Sequence, residues 1–181
     1  MNKIYKPQGN IIEYFICQFE ENESISFSNE TEIGEKTFAY SSVSTINIKS
    51  LLTKIKKSAF EECSNLSNFV CGEIEKDKNS NGIQGICLSE TDSNFTLQKD
   101  AFKNCSELET VIFPKCSKLV IEKNAFSGCE LLRTVVALCD DIEFTENPFE
   151  CCPEYLTFIC FKDSGVEKFA RENGYRSIYV E

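Results

Sequence analysis

Residues Ala101-Phe102-Lys103-Asn104-Cys105-Ser106-Glu107-Leu108-Glu109-Thr110-Val111-Ile112-Phe113-Pro114 decide the fold, because their pattern recurs. A small residue precedes a Phe, and a Cys follows three positions later. Ala59-Phe60 leads to Cys63, Ala125-Phe126 to Cys129, and Pro148-Phe149 to Cys152. Thr37-Phe38 leads to Ser41 in the same frame. The Phe positions 38, 60, 102, 126 and 149 therefore define about five units of 22–24 residues, with one longer interval between Phe60 and Phe102.

Other columns keep the register. Three residues after the Cys stand Leu66, Leu108, Leu132 and Tyr155; six after stand Phe69, Val111, Val135 and Phe158; eight after stand Cys71, Phe113, Ala137 and Cys160. Five residues before the Phe stand Ile33, Ile55, Leu97, Ile121 and Phe144. A unit of this size cannot bury its own apolar side, so stacking is required to build a core. The alternation at offsets six and eight has the period of a strand. Stacked strands would form a parallel sheet at a spacing of about 4.8 Å.

These columns resemble the BspA-like (Treponema-type) leucine-rich repeat. Carrying the likeness are Ile33-Gly34 with Phe38, AFEECSNL at 59–66, AFKNCSELETVIFP at 101–114, AFSGCELLRTV at 125–135 and the ending NPFECCPEYLTFIC at 147–160. The resemblance implies a right-handed leucine-rich-repeat solenoid with a short-strand parallel sheet, no enzymatic activity, and a role in protein binding or adhesion at a cell surface. The expected organisation is an N-terminal β cap over residues 1–30, repeats over 31–161 and a C-terminal helix–strand cap over 162–181, all one structural domain. Residues 72–88 read as a hairpin insertion around the turn pair Asn81-Gly82. A degenerate repeat is the competing reading. In the C-terminal cap, Ser164 and Glu167 have capping-box spacing, Val166, Phe169 and Ala170 share one helix face, and Gly174 ends the helix.

The 181 residues include 19 basic and 29 acidic side chains, no His and 11 Cys. Without His there is no Ser-His-Asp triad, no Cys-His pair and no His metal ligand. The net charge of −10 argues against nucleic acid or an anionic membrane surface as partner. No stretch approaches the roughly 20 apolar residues of a membrane helix, so membrane insertion is not expected. The N-terminal run IIEYFICQF at 11–19 is interrupted by Glu13 and lacks a signal-peptide cleavage pattern. Together with the odd Cys count, this reads as a cytoplasmic chain, or as a surface or secreted one if a leader was removed. No catalytic residues, metal ligands or cofactors are expected. The column Cys63, Cys105, Cys129 and Cys152 stacks closely enough for disulfides, but reads as buried structural thiols, small apolar fillers of the core.

Offset seven from the Cys lies between two inward positions and should face outward. It carries Val70, Ile112, Val136 and Ile159, and offset five on the same face carries Thr110, Thr134 and Thr157 beside Asn68. An exposed apolar stripe of this kind would bind a protein partner or a second copy of the chain.

Overall fold

The computed structural model describes residues 11–12, 24–27, 31–76, 83–88 and 92–180. It is a parallel-sheet solenoid of about six turns. Each turn contributes one strand to each of two sheets. The first sheet runs β1 (Ile11–Ile12), β3 (Glu32–Ile33), β5 (Lys54–Ile55), β8 (Phe95–Leu97), β10 (Lys118–Ile121) and β12 (Asp141–Phe144). The second runs β2 (Ser24–Phe27), β4 (Thr45–Ile48), β6 (Asn68–Lys76), β9 (Thr110–Ile112), β11 (Thr134–Val136), β13 (Thr157–Phe161) and β14 (Arg176–Val180). β7 (Ile83–Leu88) pairs antiparallel with the far half of β6, from Gly72 opposite Leu88 to Lys76 opposite Ile83.

The repeat columns become the core. Phe69, Val111, Val135 and Phe158 point inward from the second sheet, and Ile33, Ile55, Leu97 and Ile121 from the first; all are fully buried. Between the sheets, on the third side, the Phe of each Ala-Phe turn stacks on the next. Ring centroids lie 5.0 Å apart for Phe38–Phe60, 4.8 Å for Phe60–Phe102, 5.4 Å for Phe102–Phe126 and 5.2 Å for Phe126–Phe149, with planes within 3° of parallel. At that separation parallel rings are offset, the arrangement aromatic quadrupoles favour. Phe69 and Phe158 meet the stack edge-on.

Hydrogen bonds along the stack fix this side. Phe38 N–H donates to the Ala59 carbonyl (2.7 Å), Phe60 to Ala101 (2.7 Å), Phe102 to Ala125 (2.8 Å) and Phe126 to Pro148 (2.8 Å). Two residues either side of the Phe, further N–H groups point the same way, from Lys36, Tyr40, Ser58, Glu62, Asp100, Asn104, Asn124 and Gly128. All eight have positive φ, between 54° and 77°. The left-handed conformation turns each amide toward the neighbouring turn. Only Gly adopts it freely, and Asn and Asp tolerate it. At Gly128 a Cβ would also stand 2.4 Å from Asn104 Oδ1.

Several expectations need correction. The chain has six turns rather than about five, because β1 and β2 extend both sheets without the Ala-Phe signature. They lie within the expected N-terminal cap, residues 1–30. The rest of that cap lies outside the described residues, as does the Asn81-Gly82 turn. Tyr155 does not continue the Leu column. It is exposed, and Leu156 is fully buried in its place. The Leu156 N–H closes on the Pro153 carbonyl, whereas Leu66, Leu108 and Leu132 close on the Cys carbonyl, so the last turn carries one extra residue there.

The C-terminal helix α1 (Gly165–Glu172) begins at Ser164, whose hydroxyl accepts from the Glu167 N–H at 3.3 Å. The Glu167 carboxylate reaches back to the Asp163 N–H, one residue earlier than a standard capping box. Val166 and Ala170 are buried, and Phe169 packs against Phe144, Phe149 and Phe158. Gly174 follows at φ 75°.

Two substitutions test this account. Phe126→Ala removes a fully buried ring from the middle of the stack and should cost about 3–5 kcal/mol in urea unfolding; a loss below about 1 kcal/mol contradicts the stacked frame. Tyr40 is 76% exposed at φ 62°, so its side chain contributes little while its backbone is strained. Tyr40→Gly should raise stability by up to about 1 kcal/mol.

Candidate interaction surface

The outer face of the second sheet is built by register. Thr45 pairs with Asn68, Asn68 with Thr110, Thr110 with Thr134, Thr134 with Thr157 and Thr157 with Arg176. These form one polar row across the sheet, half-buried from Thr45 to Thr157 and exposed at Arg176. Two residues along each strand runs a second row: Asn47, Val70, Ile112, Val136, Ile159 and Ile178.

This second row is not the open stripe expected from alternation. Val70 is 2% exposed, Ile112 3% and Val136 8%, while Ile159 is only partly buried. The three buried side chains form a small apolar cluster of their own, apart from the main core, with Leu138 and Ile159 packed against it. The row lies on the outward side of the strands, as alternation requires. Its members nonetheless close on one another and on Leu138. Beside it, Asn47 keeps a buried Oδ1 without a hydrogen-bond partner. Burial falls along the row until Ile178, which is 55% exposed on β14. Tyr179 and Val180 are exposed with it, at 50% and 38%. β14 is the last strand of the sheet. This open edge was missed in the sequence, although the apolar run Ile178-Tyr179-Val180 signals it.

The first sheet carries charge instead. Lys56 and Lys54 meet Glu32 at 3.0 and 4.0 Å, and Lys118 meets Glu143 at 2.7 Å and Asp141 at 3.6 Å. Opposite charges on consecutive turns make these pairs self-neutralising.

The cysteine column has a defined chemistry. The Cys63 thiol donates to the Phe38 carbonyl (2.8 Å), Cys105 to Phe60 (3.0 Å), Cys129 to Phe102 (3.1 Å) and Cys152 to Phe126 (3.2 Å). Each thiol ties its turn to the one before. Ser41 fills the same place in its own turn, with its hydroxyl 3.5 Å from Cys63 Sγ. Nine of the cysteines among the described residues, the whole column included, are free thiols. Burial holds Cys71, Cys105 and Cys129 well above the ordinary thiol range and pushes Cys152 up to about 12. Cys63 is lowered, chiefly by its hydrogen bond with Cys105. A shallow depression of about 300 Å³ is lined by Cys152, Glu154, Asn173, Gly174 and Tyr175. Its thiol stays protonated at neutral pH, so it is no nucleophile there. Among the described residues no three Cys, Asp or Glu side chains converge as metal ligands, and no helix is long and apolar enough to cross a membrane.

The family model for the BspA type leucine rich repeat region matches residues 4–86 and 78–177, in six copies. The chain belongs to the BspA-type leucine-rich-repeat family. Six copies agree with the turns seen in the two sheets. Among solved structures, this BspA-type chain is similar to the pneumococcal vaccine antigen PcpA, with a TM-score of 0.60 and 16% identity. The alignment covers 95% of this chain and 44% of that one, so the chain spans less than half the antigen's length. At that identity the likeness shows the fold alone. No curated protein matches.

The raised thiols have a consequence for pH. The folded chain keeps these protons where the unfolded chain, with thiols near about 8.5, loses them. Their contribution to stability is fully present below that value and declines as pH rises above it. The urea midpoint should fall between pH 7.5 and 9.5, and Cys105→Val should fall less. A midpoint that holds or rises over this range contradicts the buried, neutral column.

Proposed function

We propose that this BspA-type chain is a non-enzymatic protein-interaction module that meets its partner with the outer face of the second sheet. The observation that supports this most directly is the in-register polar row. Thr110, Thr134 and Thr157 stand side by side, half-exposed, at successive strand spacings. A flat row of hydroxyls on a rigid parallel sheet offers adaptable hydrogen bonding with little conformational cost on binding. Ile159 and Ile178 add apolar contact where the neighbouring row emerges from burial. Val70, Ile112 and Val136 lie beside this row on the same face and are too buried to offer a partner much contact. The partner is a protein or a second copy of the chain; the net charge of −10 disfavours nucleic acid.

A second reading places the module at a cell surface, as an adhesin or part of a larger surface protein. It is supported by the fold shared with an antigen named as a vaccine target.

Thr110→Lys with Thr134→Lys tests the face. These side chains lie outside the core, so the double variant should keep its unfolding midpoint within about 0.5 kcal/mol of wild type. It should lose proteins that the wild-type chain retains from its native surroundings. Equal retention by wild type and variant contradicts this placement of the binding face.

A further inference from the structure

Cys116 and Cys139 are two of the thiols that lie outside the cysteine column. Cys116 precedes β10 and Cys139 precedes β12, each by two residues. Lys118 pairs in parallel with Asp141, and the same register brings Cys116 beside Cys139 at about the strand spacing of 4.8 Å, inside the range of backbone separations that a disulfide spans. As close neighbours, each thiol shifts the other's titration, Cys116 downward and Cys139 upward. The loops around them are at the surface. Lys115, Ser117 and Asp140 are exposed, Cys116 itself is 7% exposed and Cys139 2%. Cys63, Cys105 and Cys129 are fully buried, and their thiols are committed to Phe carbonyls.

We propose that Cys116 and Cys139 form an oxidisable dithiol, a site at which small disulfides of the glutathione type close a covalent staple between consecutive turns. Cys116 gives up its proton to solvent, and its thiolate attacks one sulfur of the small disulfide. A mixed disulfide forms, the small S–S bond breaks, and one small thiolate leaves. Cys139 gives up its proton to solvent and attacks Cys116 Sγ. The mixed disulfide breaks, the second small thiolate leaves, and the Cys116–Cys139 bond is formed. Two electrons pass from the two cysteines to the small disulfide, which ends as two thiols. The order of attack follows from the environment. The Cys139 hydrogen bond, and after it the Phe95 backbone, lower the Cys116 thiol, while the same pairing and burial raise Cys139. The thiolate is the nucleophile in such exchange.

The test uses the full chain treated with oxidised glutathione and digested without reduction. The expected product is a Cys116–Cys139 cross-linked peptide, with the cysteine column recovered as free thiols. Closing this loop should raise the thermal midpoint by roughly 5–10 °C, reversed by dithiothreitol. Cys116→Ser and Cys139→Ser should each abolish both the peptide and the shift. If either variant fails to fold, the wild-type peptide map decides alone. The proposal is overturned by a glutathione adduct on Cys116 that does not pass to Cys139, by disulfides elsewhere with this pair left reduced, or by no oxidation at either site.

Discussion

The Phe N–H of each turn donates to the carbonyl just before the Phe of the next, and the rest of the solenoid follows from this bond. It fixes the rise per turn at about one strand spacing. At that rise the Phe rings stack, the thiols reach the carbonyls of the preceding turn, and both sheets pair without slippage. A fixed rise also means that every residue meets its own counterpart above and below. The chain must therefore place at each offset a side chain that tolerates itself. Phe, neutral Cys and Thr do so. Like charges directly opposite do not, which is why Glu32 faces Lys54 and Lys118 faces Asp141 on consecutive turns.

The same constraint explains why the long interval between Phe60 and Phe102 does no harm. Their rings are 4.8 Å apart and 2° from parallel, the shortest separation within the Ala-Phe stack from Phe38 to Phe149. The additional residues leave at the end of the second-sheet segment of β6, past the last rung shared with β9, where Gly72 has φ 143°. They return at β8 with Phe95 and Leu97 already in register with β10. Loop-closure entropy rises slowly with length, so an insertion placed between the sheets costs little while one inside the Ala-Phe turn would break the ladder.

How far the sequence reveals this depends on whether a feature leaves a column. The Phe, Cys and inward strand positions recur in register, and they are buried where the frame puts them except at the last turn, where Phe144 and Cys152 are only partly covered. The backbone conformation of the Ala-Phe turn leaves no such column. Its left-handed sites carry Lys36, Tyr40, Ser58 and Glu62 as well as Asn and Gly, because the axial hydrogen bonds override residue preference. Tyr155 was misread for a related reason: a fixed offset cannot register the extra residue that moves Leu156 into the core. The first turn reads as a β cap rather than a repeat because its strands add rungs to both sheets without the Phe signature.

Alternation assigned Val70, Ile112, Val136 and Ile159 to the correct side of the strands but said nothing about what lies over that side. A side chain's direction is a local property, set by the period of two. Its exposure is a property of the neighbouring turns and of Leu138, which one strand cannot report. The gradient from Val70 at 2% to Ile178 at 55% shows the difference along a single row of chemically similar residues. It also changes what the face can do. Buried apolar side chains stiffen the sheet, and under the proposed binding role the half-exposed threonines beside them would form the contact layer. Recognition through such a row depends on hydrogen-bond geometry rather than on apolar area, so the rigidity supplied by the buried row is what would give it specificity.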